Sequence, residues 1–211
     1  MNRIRIEEGI VTKIQPSHKF GDIQYDMMGV IVKNSNGKES LLTLKYKHYD
    51  NKFYEIGSRV NCTGILRSYS EKVDGKNKVS IYVSTDFSLD ESVFKPGITL
   101  YPSSAIIDGS ICSMEPLRDL SSGKCNIHFI LANNTEIQFE DSPIVKSYNS
   151  YIPCIAWGKL AKRISEHNIG DKILIDDGEL RSREYVKHFL ETDEIRLCHE
   201  LYIKSYKDLT E

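Results

Sequence analysis

The 211 residues carry 28 Lys and Arg against 30 Asp and Glu, a formal net charge of −2, with 40% hydrophobic and 27% charged residues. That balance belongs to a chain able to bury one large core or two of about 100 residues each, so disorder is not the default reading. It also excludes a binder driven by a basic total, while leaving open a local basic groove.

In the first half, residues 4–15 form the first strand candidate, with Gly9 as a bend inside it. Residues 23–33 form the second. The turn Asn34-Ser35-Asn36-Gly37 leads to a third over 39–46, and residues 59–66 are the fourth. A hairpin signal, Asp74-Gly75, precedes the fifth over 78–84. There Val79, Ile81 and Val83 alternate with Ser80, Tyr82 and Ser84, the period of a half-buried strand. Residues 87–102, with Pro96, Gly97 and Pro102, carry the composition of a linker.

The second half repeats the order. Strands are expected over 104–114, with Gly109 inside, then over 124–133 and 151–157. The period then changes: Leu160, Ala161, Ile164 and His167 sit at helical spacing, and Asn168-Ile169-Gly170 ends that helix. Residues 172–183 are the fourth strand, with a bulge expected at Asp176-Asp177. In the fifth, Ile195, Leu197, His199, Leu201 and Ile203 alternate with their neighbours.

The halves also share a motif. Ile56-Gly57 leads through a β-rich stretch to Gly64-Ile65-Leu66-Arg67-Ser68, and Ile169-Gly170 leads to Gly178-Glu179-Leu180-Arg181-Ser182. Five strands with a short helix after the third is the order of an OB fold. The expectation is therefore a mainly all-β chain of two tandem OB-fold five-stranded Greek-key barrels, each with a short helix after its third strand. A divergent N-terminal barrel would occupy residues 1–88, a linker 89–102 and a second barrel 103–211.

One stretch is more specific than a strand count. Tyr151-Ile152-Pro153-Cys154-Ile155-Ala156-Trp157-Gly158-Lys159-Leu160-Ala161 is followed by the helix and then by Gly178-Glu179-Leu180-Arg181-Ser182-Arg183-Glu184-Tyr185. Over residues 104–205 this resembles the bacterial single-stranded DNA-binding protein (SSB) family, which has an aromatic-Gly-Lys-Leu-Ala and a Gly-x-Leu-Arg-(Ser/Thr)-Arg-x-aromatic in the same order. The resemblance implies binding of single-stranded DNA with little sequence preference, in replication, recombination or repair. By position it implies base stacking on Tyr151, Trp157 and Tyr185. Stacking suits this task because every base has a π-face. An aromatic core at a strand end is the plain alternative for Trp157.

Lys159, Lys172, Arg181 and Arg183 lie on the same strands or at their ends and could meet phosphates, or solvate a strand edge. Phe189 falls in the loop between the last two strands, which reaches along nucleic acid in OB folds. A further aromatic of the family falls near Phe139. In the first half, Tyr46 and Tyr49 stand in a Lys-interleaved aromatic segment and Arg67 and Tyr69 follow the repeat motif. This set could repeat the binding face, or form a dimer interface or barrel core. Family members with two barrels per chain assemble as dimers, so a homodimer is implied. The family's acidic, Phe-terminated tail has no counterpart in Lys204 to Glu211, so the resemblance does not carry over its recruitment of replication proteins.

Other classes find less support. The six histidines are dispersed, and no Gly-x-Ser-x-Gly, HExxH or phosphate-cradling loop occurs, so no enzyme, cofactor or metal is expected. Cys62, Cys112, Cys125, Cys154 and Cys198 are odd in number and form no CxxC, which points to reduced thiols. The N-terminus has no apolar h-region and no run reaches membrane-spanning length; a cytoplasmic protein without membrane contact is expected. The main rival is an OB-fold interaction scaffold in a replication or conjugation complex, with weak or no DNA binding.

Overall fold

A computed structural model describes residues 1–48, 54–73, 75–85, 102–138, 145–188 and 193–209. The first half supplies β1 (Asn2–Phe20), β2 (Ile23–Lys33), β3 (Glu39–Lys47), β4 (Arg59–Val73) and β5 (Lys76–Ser84). The second supplies β6 (Ser103–Met114), the two-residue β7 (Arg118–Asp119), β8 (Cys125–Gln138) and β9 (Val145–Trp157). Helix α1 (Lys159–Ile164), β10 (Lys172–His188) and β11 (Asp193–Asp208) follow.

The strands hydrogen-bond into two closed rings. The first runs β2-β3-β5-β4-β1 and closes through a β1–β2 pairing; the second runs β6-β10-β11-β9-β8 and closes through β6–β8. In each ring all pairs are antiparallel except one: β3 with β5 at Leu44↔Val83, and β9 with β11 at Cys154↔Leu201. The alternation read from the sequence faces each interior. Met28, Val30 and Val32 of β2, Leu42 and Leu44 of β3, and Ile81 and Val83 of β5 are buried in the first ring. In the second, Ile127, Phe129 and Leu131 of β8 meet Ile152, Cys154 and Ala156 of β9. Each fully buried aliphatic side chain stabilises the fold by about 1.5–3 kcal/mol, and strands of this period can deliver it only to one face.

The rings are joined by an antiparallel seam between β1 and β6, from Asn2↔Ile107 to Ile6↔Ser103. Around it the contacts repeat in pairs. The N–H of Leu41 donates to Ser182 Oγ at 2.8 Å, and that of Tyr151 donates to Ser68 Oγ at 2.7 Å. Ser68 and Ser182 are the last residues of the repeated motif, so the repeat marks where each half grips the other.

Gly109 allows a close strand approach: a Cβ there would lie 2.5 Å from the carbonyl oxygen of Ala132. The strands outrun the sequence expectation, notably β4 and β10, which extend into long hairpins, and β7 was not foreseen. Two helix expectations need correction. In the second half α1 spans only six residues and buries Ala161 and Ile164; His167 falls beyond it, beside Asp171 and Tyr206. In the first half no helix occurs among the described residues between β3 and β4. Residues 55–58 instead turn back, with the Ser58 N–H and hydroxyl donating to the Glu55 carbonyl and Gly57 at φ 90°. Residues 49–53, and the proposed linker apart from Pro102, lie outside the described residues.

Candidate nucleic-acid interface

Strand β9 sets the central feature. Its even positions Ile152, Cys154 and Ala156 point into the core, so its odd positions take the opposite phase, in which Ile155 is covered while Tyr151 and Trp157 reach solvent. That places Tyr151 and Trp157 on one outer face, with 44% and 39% of their surface exposed. Trp157 pairs across the strand with Asn126 and Tyr151 with Ala132. Two large aromatics in contact with solvent, one at the middle and one at the end of a single strand, are not what core packing would produce. Tyr185, on β10 opposite Arg196, is half-buried, and the Arg183 guanidinium lies 5.8 Å from its ring centre.

The cations divide into two groups. Lys159, at the start of α1, and Lys172, at the start of β10, are exposed and make no ion pair among the described residues. Arg181 and Arg183 are engaged within the chain. Arg181 Nε donates to Glu179 Oε2 at 3.0 Å, its Nη2 donates to Ser35 Oγ at 2.8 Å, and the guanidinium lies 4.3 Å from the ring centre of Tyr202. The buried Glu179 also accepts from the Ser35 N–H at 2.6 Å and hydroxyl at 2.7 Å, and Lys204 Nζ lies 3.4 Å away. Burial favours protonation of Glu179, but the Ser35 and Arg181 hydrogen bonds outweigh it and hold the carboxyl below its ordinary value.

Arg183 forks onto Glu200, with Nε to Oε2 at 3.1 Å and Nη2 to Oε1 at 3.2 Å, while His128 Nδ1 stands 3.4 Å from Oε1. Burial pushes Glu200 up, yet His128 and Arg183 together hold it down at about 2. The two arginines of the motif therefore carry charges already met by carboxylates, one of them buried at the contact between the rings.

The remaining sequence-predicted residues separate. Tyr69 is 47% exposed on β4. Arg67 is half-buried, its guanidinium 3.9 Å from the ring centre of Tyr148 in the other half. Tyr46 is corrected: it is buried in the first ring's core, edge-on to Tyr54 at 5.0 Å, because the even positions of β3 point inward. It follows the core alternative. Tyr49, Phe139 and Phe189 lie outside the described residues. Tyr148 and Tyr202, the platforms beneath Arg67 and Arg181, were missed; the outward phase of Tyr202 beside Glu200 was readable, but its partner was not.

Two closed rings of this strand order define an OB-type protein with the fold of the bacterial single-stranded DNA-binding proteins. Among them, the wild-type single-stranded DNA binding protein from Thermus aquaticus superposes with a TM-score of 0.68 at 15% identity, over 100% of this chain and 94% of that one. A deletion mutant of the same protein gives 0.68 at 16% identity, over 100% and 95%. The likeness covers both rings and is one of fold. No family model and no curated protein matches the sequence. No helix among the described residues is long and apolar enough to cross a membrane.

Proposed function

We propose that the chain is a tandem OB-fold protein that binds single-stranded DNA with little sequence preference, by stacking bases on Tyr151, Trp157 and Tyr185. The observation that carries this reading is the pair of exposed rings at the middle and the C-terminal end of β9, on the strand and in the phase that the motif resemblance assigns to stacking. Lys159 and Lys172, with no ion pair among the described residues, are the best placed to meet phosphates. Arg181 and Arg183 contribute less, since Glu179 and Glu200 already balance them. The chain acts by binding rather than catalysis, and two barrels per chain favour a homodimer serving replication, recombination or repair.

The balanced arginines favour one rival, a scaffold with weak DNA binding. A single titration separates the two. Oligo(dT) of increasing length is added while Trp157 emission and solution mass are followed. Quenching that saturates, with a mass of two chains, is the expected result. Absence of quenching together with absence of gel retardation overturns the proposal and leaves the scaffold.

A further inference from the structure

We propose, resting on the DNA-binding reading above, that the first ring has its own binding face for single-stranded DNA, built from a different set of positions: Tyr25, Lys45, Tyr82 and Tyr69. These side chains form a row across the outside of the ring. On β1 and β2, the His18 and Tyr25 rings stack at 4.9 Å with 11° between their planes. The Lys45 ammonium on β3 stands 5.2 Å from the Tyr25 ring centre and 5.5 Å from that of Tyr82 on β5. Tyr82 and Tyr69, on β5 and β4, are 6.1 Å apart. All face outward: the neighbours Asp26, Leu44, Tyr46, Ile81 and Val83 are buried.

The register shows why the repeat did not reveal this row. Aligning the two parallel bridges, Leu44↔Val83 on Cys154↔Leu201, puts Leu41 and Lys47 where the second ring has Tyr151 and Trp157. Those two stacking positions are thus vacant of aromatics in the first ring. Conversely, the places of Lys45 and Tyr82 hold Ile155 and Glu200 in the second ring. Each ring carries aromatics on its outer face, but at complementary positions. A tyrosine pair with an ammonium between its members joins flat faces for bases to a cation for the phosphate linking them, the two elements of sequence-tolerant single-strand binding. Cross-strand aromatic pairs also stabilise sheets, so the test must separate stacking on DNA from stacking within the protein.

The test compares the wild-type chain, Y25A/Y69A/Y82A and Y25F/Y69F/Y82F, each checked for fold by circular dichroism, in binding a labelled ~30-nucleotide oligo(dT), longer than the 4–16 nucleotides one OB fold covers. The alanine variant is expected to bind about tenfold or more weakly while Trp157 is still quenched at saturation, and the phenylalanine variant to stay within about threefold of wild type. If the triple alanine variant does not fold, Tyr69→Ala and Tyr25→Ala, at outward positions, carry the same comparison. A folded alanine variant with wild-type affinity overturns this inference and leaves the second ring's role intact. A phenylalanine variant as weak as the alanine one overturns it as well, because a flat ring is then not what matters. A wild-type chain that binds no oligo(dT) overturns the DNA-binding reading itself and this inference with it.

Discussion

Replacing Glu179 by alanine should loosen the grip between the rings more than any other single polar change. Its side chain is 0% exposed, it accepts two hydrogen bonds from Ser35 of the β2–β3 turn, and it neutralises Arg181, itself only 11% exposed. Removing the carboxylate leaves a nearly buried guanidinium and a backbone N–H without their acceptor. Breaking one side of a buried ion pair costs about 3–5 kcal/mol, a figure that already contains the orphaned donor. Glu179→Gln keeps the shape and one acceptor but turns an amide N–H₂ towards donors, so its loss should be intermediate. The assay is urea unfolding followed by circular dichroism, with a double-mutant cycle against Arg181→Ala. The pair should couple by more than about 1 kcal/mol, because the double variant buries no unpaired charge. A Glu179→Ala chain within about 0.5 kcal/mol of wild type would refute the argument.

Trp157→Ala should weaken oligo(dT) binding by about 1–3 kcal/mol, similarly for oligo(dA), with little change in unfolding midpoint; fluorescence anisotropy at fixed salt reads it. Acid should unfold the chain partly through Glu200. Its carboxyl is held at about 2, below the ordinary 4.5, so the unfolded chain takes the proton first. The stabilisation, on the order of 3 kcal/mol, is complete above about pH 5 and disappears as pH falls towards 2. Urea midpoints against pH should show this slope, and Glu200→Gln should flatten it. Gly109→Ala should cost about 1–3 kcal/mol in the same denaturation assay, since its Cβ would press on the backbone of Ala132 rather than on a movable side chain.

Much of the strand plan was legible because it is local. Alternation along 23–33, 78–84 and 151–157 states which side chains face a core, and it needs no knowledge of the partner strand. The aromatic-Gly-Lys-Leu-Ala motif likewise placed Trp157 and Tyr151 on one strand in one phase, and both stand exposed there. Where the reading fell short, the missing information was long-range. Tyr46 is the exception: its phase with Leu42 and Leu44 is local, was readable, and sends the ring inward.

Sequence alone thus determined the order of strands, their inward faces and the motif that suggests a binding surface, since these follow from neighbours a few residues apart. Tertiary structure decided which charges remain available. Arg181 meets a turn 146 residues away and Arg67 a tyrosine of the opposite ring, so two cations that read as candidate DNA-binding residues are held by partners no local pattern could disclose. It also decided that His18, Tyr25, Lys45, Tyr82 and Tyr69 form one row, because ring closure sets side by side strands that the chain keeps far apart.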